Sequence, residues 1–179
     1  MKRIIAILIM SGFGIAVHGQ GAVMTKYFEK YTDNEDFTKV SVSSKMFSLF
    51  TEMEGGSEDE KEFLDAIGKL KGMKAVFGED VASSESKKLY GDASKDVDDE
   101  GYEELMTITD AEENVKIAIK ESKGVIQELI LVAGGNNKFA LVSLFGEIDL
   151  KKISKLASSM RVEGMKHLKN LDELKDKKD

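Results

Sequence analysis

Apolar and polar positions follow a legible order along this chain, and the densest apolar cluster lies late in it. Val125 to Ala133 and Phe139 to Phe145 are two apolar runs, separated by Gly134-Gly135-Asn136-Asn137. Gly and Asn tolerate the positive φ that a tight reversal needs. The stretch therefore predicts a β-hairpin at the centre of a sheet. With Ala133 opposite Lys138, Ile126, Ile130 and Val132 share a face with Phe139, Leu141 and Phe145. Leu129, Leu131 and Ala133 share the other face with Ala140, Val142 and Leu144. Two apolar faces mean two covered faces. The first, with its two Phe, reads as a helix-packed core. The second needs a cover, which could be more of the chain, a second subunit, a protein partner or an apolar ligand.

The remaining elements fall around this hairpin. Val23, Tyr27, Phe28 and Tyr31 have helical spacing within Ala22 to Thr32. Phe37 to Val42 reads as a strand, and a helix through Met46, Phe47, Leu49 and Phe50 follows it, with Ser43 or Ser44 as N-cap. Ser57 to Glu60 is a capping-box pattern opening a helix with Phe63, Leu64, Ile67 and Leu70. Lys71 to Phe77 alternates as a strand. Val81 to Leu89 is read as a helix stopped at Gly91, and Asp92 to Glu100 as a solvated acidic loop or frayed helix end. Tyr102 to Thr109 is a strand. In the next one Val115, Ile117 and Ile119 alternate with Lys116, Ala118 and Lys120, which gives one wet face. Four strands with short connections make an antiparallel meander. Asp149 is a candidate N-cap for a helix bearing Leu150, Ile153, Leu156, Ala157 and Met160, folded back on the sheet.

The expected fold is α+β: an antiparallel sheet of five or six strands, with a C-terminal four-stranded meander and helices mainly packed on one face. Residues 1–19 read as a signal peptide, 20–160 as a single domain and 161–179 as a charged C-terminal tail.

Composition narrows the function. The N-terminus has a basic Lys2-Arg3 pair, an apolar stretch from Ile4 to Val17, and small or polar residues to Gln20. This is the form of an export signal, with cleavage after Gly19 or, alternatively, after Gln20. The apolar stretch is short of the ~20 residues that span a bilayer. The protein is thus expected to be exported, periplasmic or secreted, with no stable membrane anchor after cleavage. There is no Cys anywhere in the 179 residues, so disulfides, thiol nucleophiles and a lipoprotein anchor are excluded. The whole chain carries a net charge of −7. Residues 1–20 hold two of the 26 basic residues and none of the 33 acidic ones, which makes the mature chain more acidic still. Nucleic acid, whose phosphates would repel such a chain, is not an expected partner.

Catalytic chemistry is scarce. Past the signal the only histidine is His167, in the charged tail, so neither a Ser-His-Asp device nor a multi-His metal site can be assembled. Asp96, Asp98, Glu100 and Gly101 reproduce the first half of a calcium loop. However, the position that needs a bidentate Glu is Thr107, so no metal and no cofactor is expected. Acidic residues otherwise fall in runs at element ends. Glu128 is the exception, since it interrupts the apolar central strand opposite Ser143. It sits either near a sheet end or inside, as a buried carboxylate lining a pocket.

The order of elements carries a resemblance, and it is most specific at Tyr102 to Met106 and at Leu144 to Leu150. The chain resembles the exported Bacteroidetes family catalogued as domain of unknown function 4252, over nearly all of the mature chain. The resemblance implies an envelope location and an association with envelope-stress or sigma-factor regulation. It supplies no catalytic residues, and the Cys anchor of some members is missing here. The leading expectation is a non-enzymatic accessory or regulatory module that binds a protein partner or itself through Leu129, Leu131, Ala140, Val142 and Leu144. The alternative is a periplasmic carrier or sensor of an apolar small molecule, with Glu128 or Tyr102 at the mouth of its site.

Overall fold

The computed structural model describes residues 21–52 and 58–151. The expected signal, the capping box expected at Ser57, the expected continuation of a helix beyond Lys151 and the expected charged tail fall on residues outside them. The elements are α1 (Ala22–Lys30), β1 (Phe37–Ser43), α2 (Ser44–Thr51), α3 (Glu58–Gly68), β2 (Leu70–Gly78), α4 (Ser83–Asp99), β3 (Glu103–Thr109), β4 (Glu113–Ser122), β5 (Val125–Gly135) and β6 (Lys138–Ile148). The six strands form one sheet in the order β1-β2-β6-β5-β4-β3, and every neighbouring pair is antiparallel. The α+β sheet and its C-terminal meander are as the sequence predicts. The apolar hairpin β5–β6 occupies the two central positions, where both faces can be dried.

Helices α1 and α4 form the larger cover, packed on the face that carries Val76, Ile130, Val132, Phe139 and Leu141. Its aromatic centre joins Tyr31 stacked on Phe37, centroids 3.9 Å apart, to Phe139 set edge-on to Phe37 at 6.5 Å. On the other face, Phe47 of α2 and Phe63, Leu64 and Ile67 of α3 pack with Ile117, Ile119, Leu129, Leu131 and Leu144.

The central hairpin differs from the expected register by two residues. Gly135 pairs with Lys138 and Ala133 with Ala140. The reversal uses only Asn136 and Asn137, at φ 50° and 60°, while Gly134 and Gly135 extend the strand. A shift of two preserves the faces, so the two apolar sets stand, except at Ile126. A bulge at Gln127 turns Ile126 to the face of Ile148 and Leu129. Gly135 cannot be replaced cheaply: its φ is +141°, and a Cβ there would meet the Glu112 carbonyl oxygen at 2.0 Å.

Helix α4 is the larger correction. It does not stop at Gly91 but runs to Asp99, and no acidic loop exists there. Its buried stripe is Ser86, Leu89, Ala93 and Val97. Two of these four are small, which hides the period from an apolar count. The helix ends at Gly101, φ +73°, where Gly101 N–H donates to the Asp98 carbonyl and Tyr102 N–H to the Val97 carbonyl. This is the paired closure of a Schellman motif. The glycine that suggested a calcium loop is therefore a helix stop.

Gly91 is exposed mid-helix, and a Cβ on it would touch nothing within 4 Å. Gly91→Ala should raise stability by about 0.5–1 kcal/mol, read as a higher urea midpoint at unchanged slope.

Candidate functional site

Two places stand out, on opposite faces of the sheet. On the α1/α4 side Glu128 points inward in step with Ile130 and Val132, just past the bulge at Gln127. Glu128 is the fourth residue of β5, close to the sheet end as read from the sequence, yet it is wholly buried rather than solvated. Its Cα stands opposite Phe145 rather than Ser143, but the buried Ser143 hydroxyl still donates to Glu128 Oε1 at 2.6 Å. The other oxygen accepts from the Gly21 backbone N–H at 2.9 Å, at the start of α1. A carboxylate placed in an apolar core needs such donors, since burying it bare costs several kcal/mol. With no exposed surface, it cannot contact a substrate as it stands.

Tyr102 is buried beside this carboxylate; its hydroxyl is near enough for Glu128 to act on it but makes no hydrogen bond of ordinary length and angle. Burial, followed by the Glu128 charge, pushes its pKa above the ordinary 10.0 and keeps the phenol neutral. Lys120 lies 4.5 Å over the Tyr102 ring and 3.6 Å from Glu100. Both sequence-stated polar candidates, Glu128 and Tyr102, thus come together.

The calcium candidates do not come together. Asp96 and Asp98 are two residues apart on a helix and point to different sides of it. Asp96 binds Lys26 at 2.7 Å and accepts from the Tyr27 hydroxyl at 3.0 Å. Asp98 binds Lys116 at 2.6 Å, and Glu100 faces Lys120. Among the described residues no group of three or more His, Cys, Asp or Glu could hold a metal ion.

Lys116 corrects another expectation. The face of β4 read as wet is covered by α4, and the Lys116 side chain is only 8% exposed. Burial alone would lower its pKa, but its bonds to Asp98 and Glu104 outweigh this and raise it above 10.5. Ser86, missed in the sequence, fastens α4 to the central hairpin. Its hydroxyl donates to the Lys138 carbonyl and accepts from Gly135 N–H at 2.7 Å. A serine within the predicted helix Val81 to Leu89 carried no signal of this.

The second place is the opposite sheet face. Leu129, Leu131, Ala140, Val142 and Leu144 share it as expected; Leu129 is buried and the other four are half-buried. Beside it, α2 buries none of its residues and leaves Met46 46%, Leu49 47% and Phe50 39% exposed. The sequence held a signal for this. Met46-Phe47 and Leu49-Phe50 put apolar side chains on more than one side of a two-turn helix, so one side is left over.

The fold is an α+β domain in which one six-stranded antiparallel sheet carries helices on both faces, with an enclosed carboxylate on one side and a partly covered apolar surface on the other. The family model for the domain of unknown function DUF4252 matches residues 31–156, and the chain belongs to that family. Comparison with curated proteins and with solved structures gave no match. Among the described residues no helix is long and apolar enough to cross a membrane.

Two measurements check the buried polar group. Ser143→Ala, which strips Glu128 of a donor, should lower stability by about 1.5–3 kcal/mol, whereas Tyr102→Phe, which removes a hydroxyl that makes no ordinary hydrogen bond, should leave it unchanged or raise it by about 1 kcal/mol. In alkali the sign is also set. Tyr27, Tyr102 and Lys116 hold their protons more tightly folded than unfolded. Their contribution is complete below about pH 10 and is lost as pH rises above it. Urea midpoints should fall there, and less steeply in Tyr102→Phe.

Proposed function

We propose that this is an exported envelope protein, non-enzymatic, that acts as an accessory or regulatory module by binding a protein partner, a second copy of itself included. The carrying observation is the row of Met46, Leu49 and Phe50 exposed on one short helix. It flanks the half-buried Leu131, Ala140, Val142 and Leu144 on the same side of the sheet. Neighbouring apolar groups of this kind mark interaction surfaces more often than isolated ones do. The acidic charge balance and the signal-like N-terminus support an extracytoplasmic protein partner over nucleic acid.

Native mass spectrometry of the protein recovered from its own cell envelope tests this. A dimer or a defined heteromeric complex is expected. Leu49→Lys should weaken that complex at least about tenfold, while an exposed position changes stability by only about 0.5 kcal/mol. A bare monomer, or a complex indifferent to Leu49→Lys, would sink the proposal. A monomer carrying a few hundred daltons of apolar ligand would replace it with the carrier reading.

A further inference from the structure

The sheet has two outer strands, β1 and β3, and they are not alike. β3 is broken by a bulge between Glu104 and Met106 and carries Glu103 and Glu104, features that discourage an added strand. β1 has neither. It pairs with β2 without a break from Phe37 to Ser43, and its outer side meets no other strand among the described residues. Its one charged residue, Lys39, does not guard the edge. The ammonium is drawn back to the Thr32 carbonyl, 3.2 Å away, and over the Phe28 ring.

The two faces beside this edge differ in kind. On the α2/α3 face Val40 and Val42 are half-buried, in line with Ala75 and Met73 of β2. α2 packs on β1 and β2 at this border and leaves Met46, Leu49 and Phe50 exposed. On the α1 face Lys39 is joined by Lys74, the two ammonium groups lying 5.3 and 5.2 Å from the centre of the same Phe28 ring. Neither forms an ion pair with a carboxylate among the described residues. In a chain of net charge −7, these two cations form a local site of the opposite sign.

We propose that β1 is a docking edge for an extended segment of a partner protein whose side chains alternate acidic and apolar. The inference rests on the protein-binding reading and names the partner's chemistry. The backbone of such a segment satisfies the open donors and acceptors of β1. Its successive side chains fall on opposite faces. One set reaches across β1 to Lys39 and Lys74; Ser41, the residue between Lys74 and the edge, is too small to stand in the way. The other set lies along Val40, Val42 and the exposed row of α2. A wholly apolar segment would leave the cations unmatched, and a wholly acidic one would set charge against Met46, Leu49 and Phe50. A second copy of the chain fits less well, because the outer strand it could offer is β3, which is bulged and whose Glu104 already faces Lys116.

The test titrates the full chain with an end-blocked synthetic peptide of about eight residues that alternates glutamate with valine. Controls carry lysine for glutamate, or a central proline. The glutamate peptide should bind, and both controls should bind at least about tenfold more weakly. Amide exchange should slow at alternate residues between 37 and 43, since an added strand bonds only the outward-facing groups. Lys74→Glu should cost the glutamate peptide at least about tenfold in affinity and admit the lysine peptide. Lys39→Glu is the second variant, with the same expectation, should the first not fold. No binding of the glutamate peptide, equal binding of both charge types, or binding with unchanged exchange over 37–43 overturns the proposal. So does slowed exchange over 37–43 in concentrated protein without peptide, which would make a second copy the occupant. An envelope complex that responds to Leu49→Lys but not to Lys39→Glu or Lys74→Glu overturns this inference alone. A bare monomer from the envelope sinks the protein-binding reading, and with it the role assigned to the edge, whatever the peptide does.

Discussion

The double-sided dryness of β5 and β6 is the condition on which the architecture depends. Ile130, Val132, Phe139 and Leu141 face one way, while Leu129, Leu131, Val142 and Leu144 face the other. A strand pair of that kind is stable only between two layers. It therefore takes the two central places in the sheet, and the helices are distributed to dry it: α1 and α4 on one side, α2 and α3 on the other. The two covers are unequal. The α1/α4 side is closed by stacked aromatic rings. On the α2/α3 side four of the five residues named for the surface stay half-buried, and α2 itself shows three large apolar side chains to solvent.

Each polar group admitted to the closed side does a defined structural job. Ser86 exchanges hydrogen bonds with the two residues flanking the central turn and so fixes where α4 begins to cross the sheet. Lys116 reaches out from β4 to the far end of the same helix through Asp98. Glu128 holds the first residue of the α1 corner through Gly21. Three polar contacts thus locate two helices on a sheet whose apolar surface alone would let them slide, because hydrophobic burial has no direction of its own.

Much of this was legible in the sequence, and the failures have identifiable causes. The outer strands announced themselves through alternation and the central hairpin through two apolar runs, and the two faces of that hairpin were assigned correctly except at Ile126. One error came from a glycine: Gly91 was taken as a stop although it is a solvent-facing helix position, and the acidic stretch after it was taken as a loop or frayed end although it is helix as far as Asp99, closed by Gly101. Reading α4 as too short follows from Ala93, which looks like nothing in an apolar count. Ile126 was misplaced because a bulge changes the phase of a strand without leaving a mark on its composition. The wet face of β4 was an inference from Lys116, and it failed because a lysine can lie under a helix when a carboxylate waits at the rim. Of the site candidates, the pairing of Glu128 with Ser143 and Tyr102 was within reach, but the Gly21 amide was not. Nothing in a linear pattern ties residue 21 to residue 128.

The strand order also fixes a sequence of assembly. Among the described residues β6 is the last strand, yet it lies between β2 and β5, and it alone joins the β1–β2 pair to β5, β4 and β3. A chain growing from its N-terminus can fold β1 on β2, but the second edge of β2 stays bare until Ile148 is available. Closure then spans some seventy residues from β2 to β6, which makes it a slow, long-range event. With no proline in the chain, no isomerisation adds to the delay. Until that strand arrives, β2 and β5 each present an unpaired row of backbone donors and acceptors, the kind of edge that recruits foreign strands. The interval before β6 is released is therefore one in which the half-built sheet is open to edge-to-edge association.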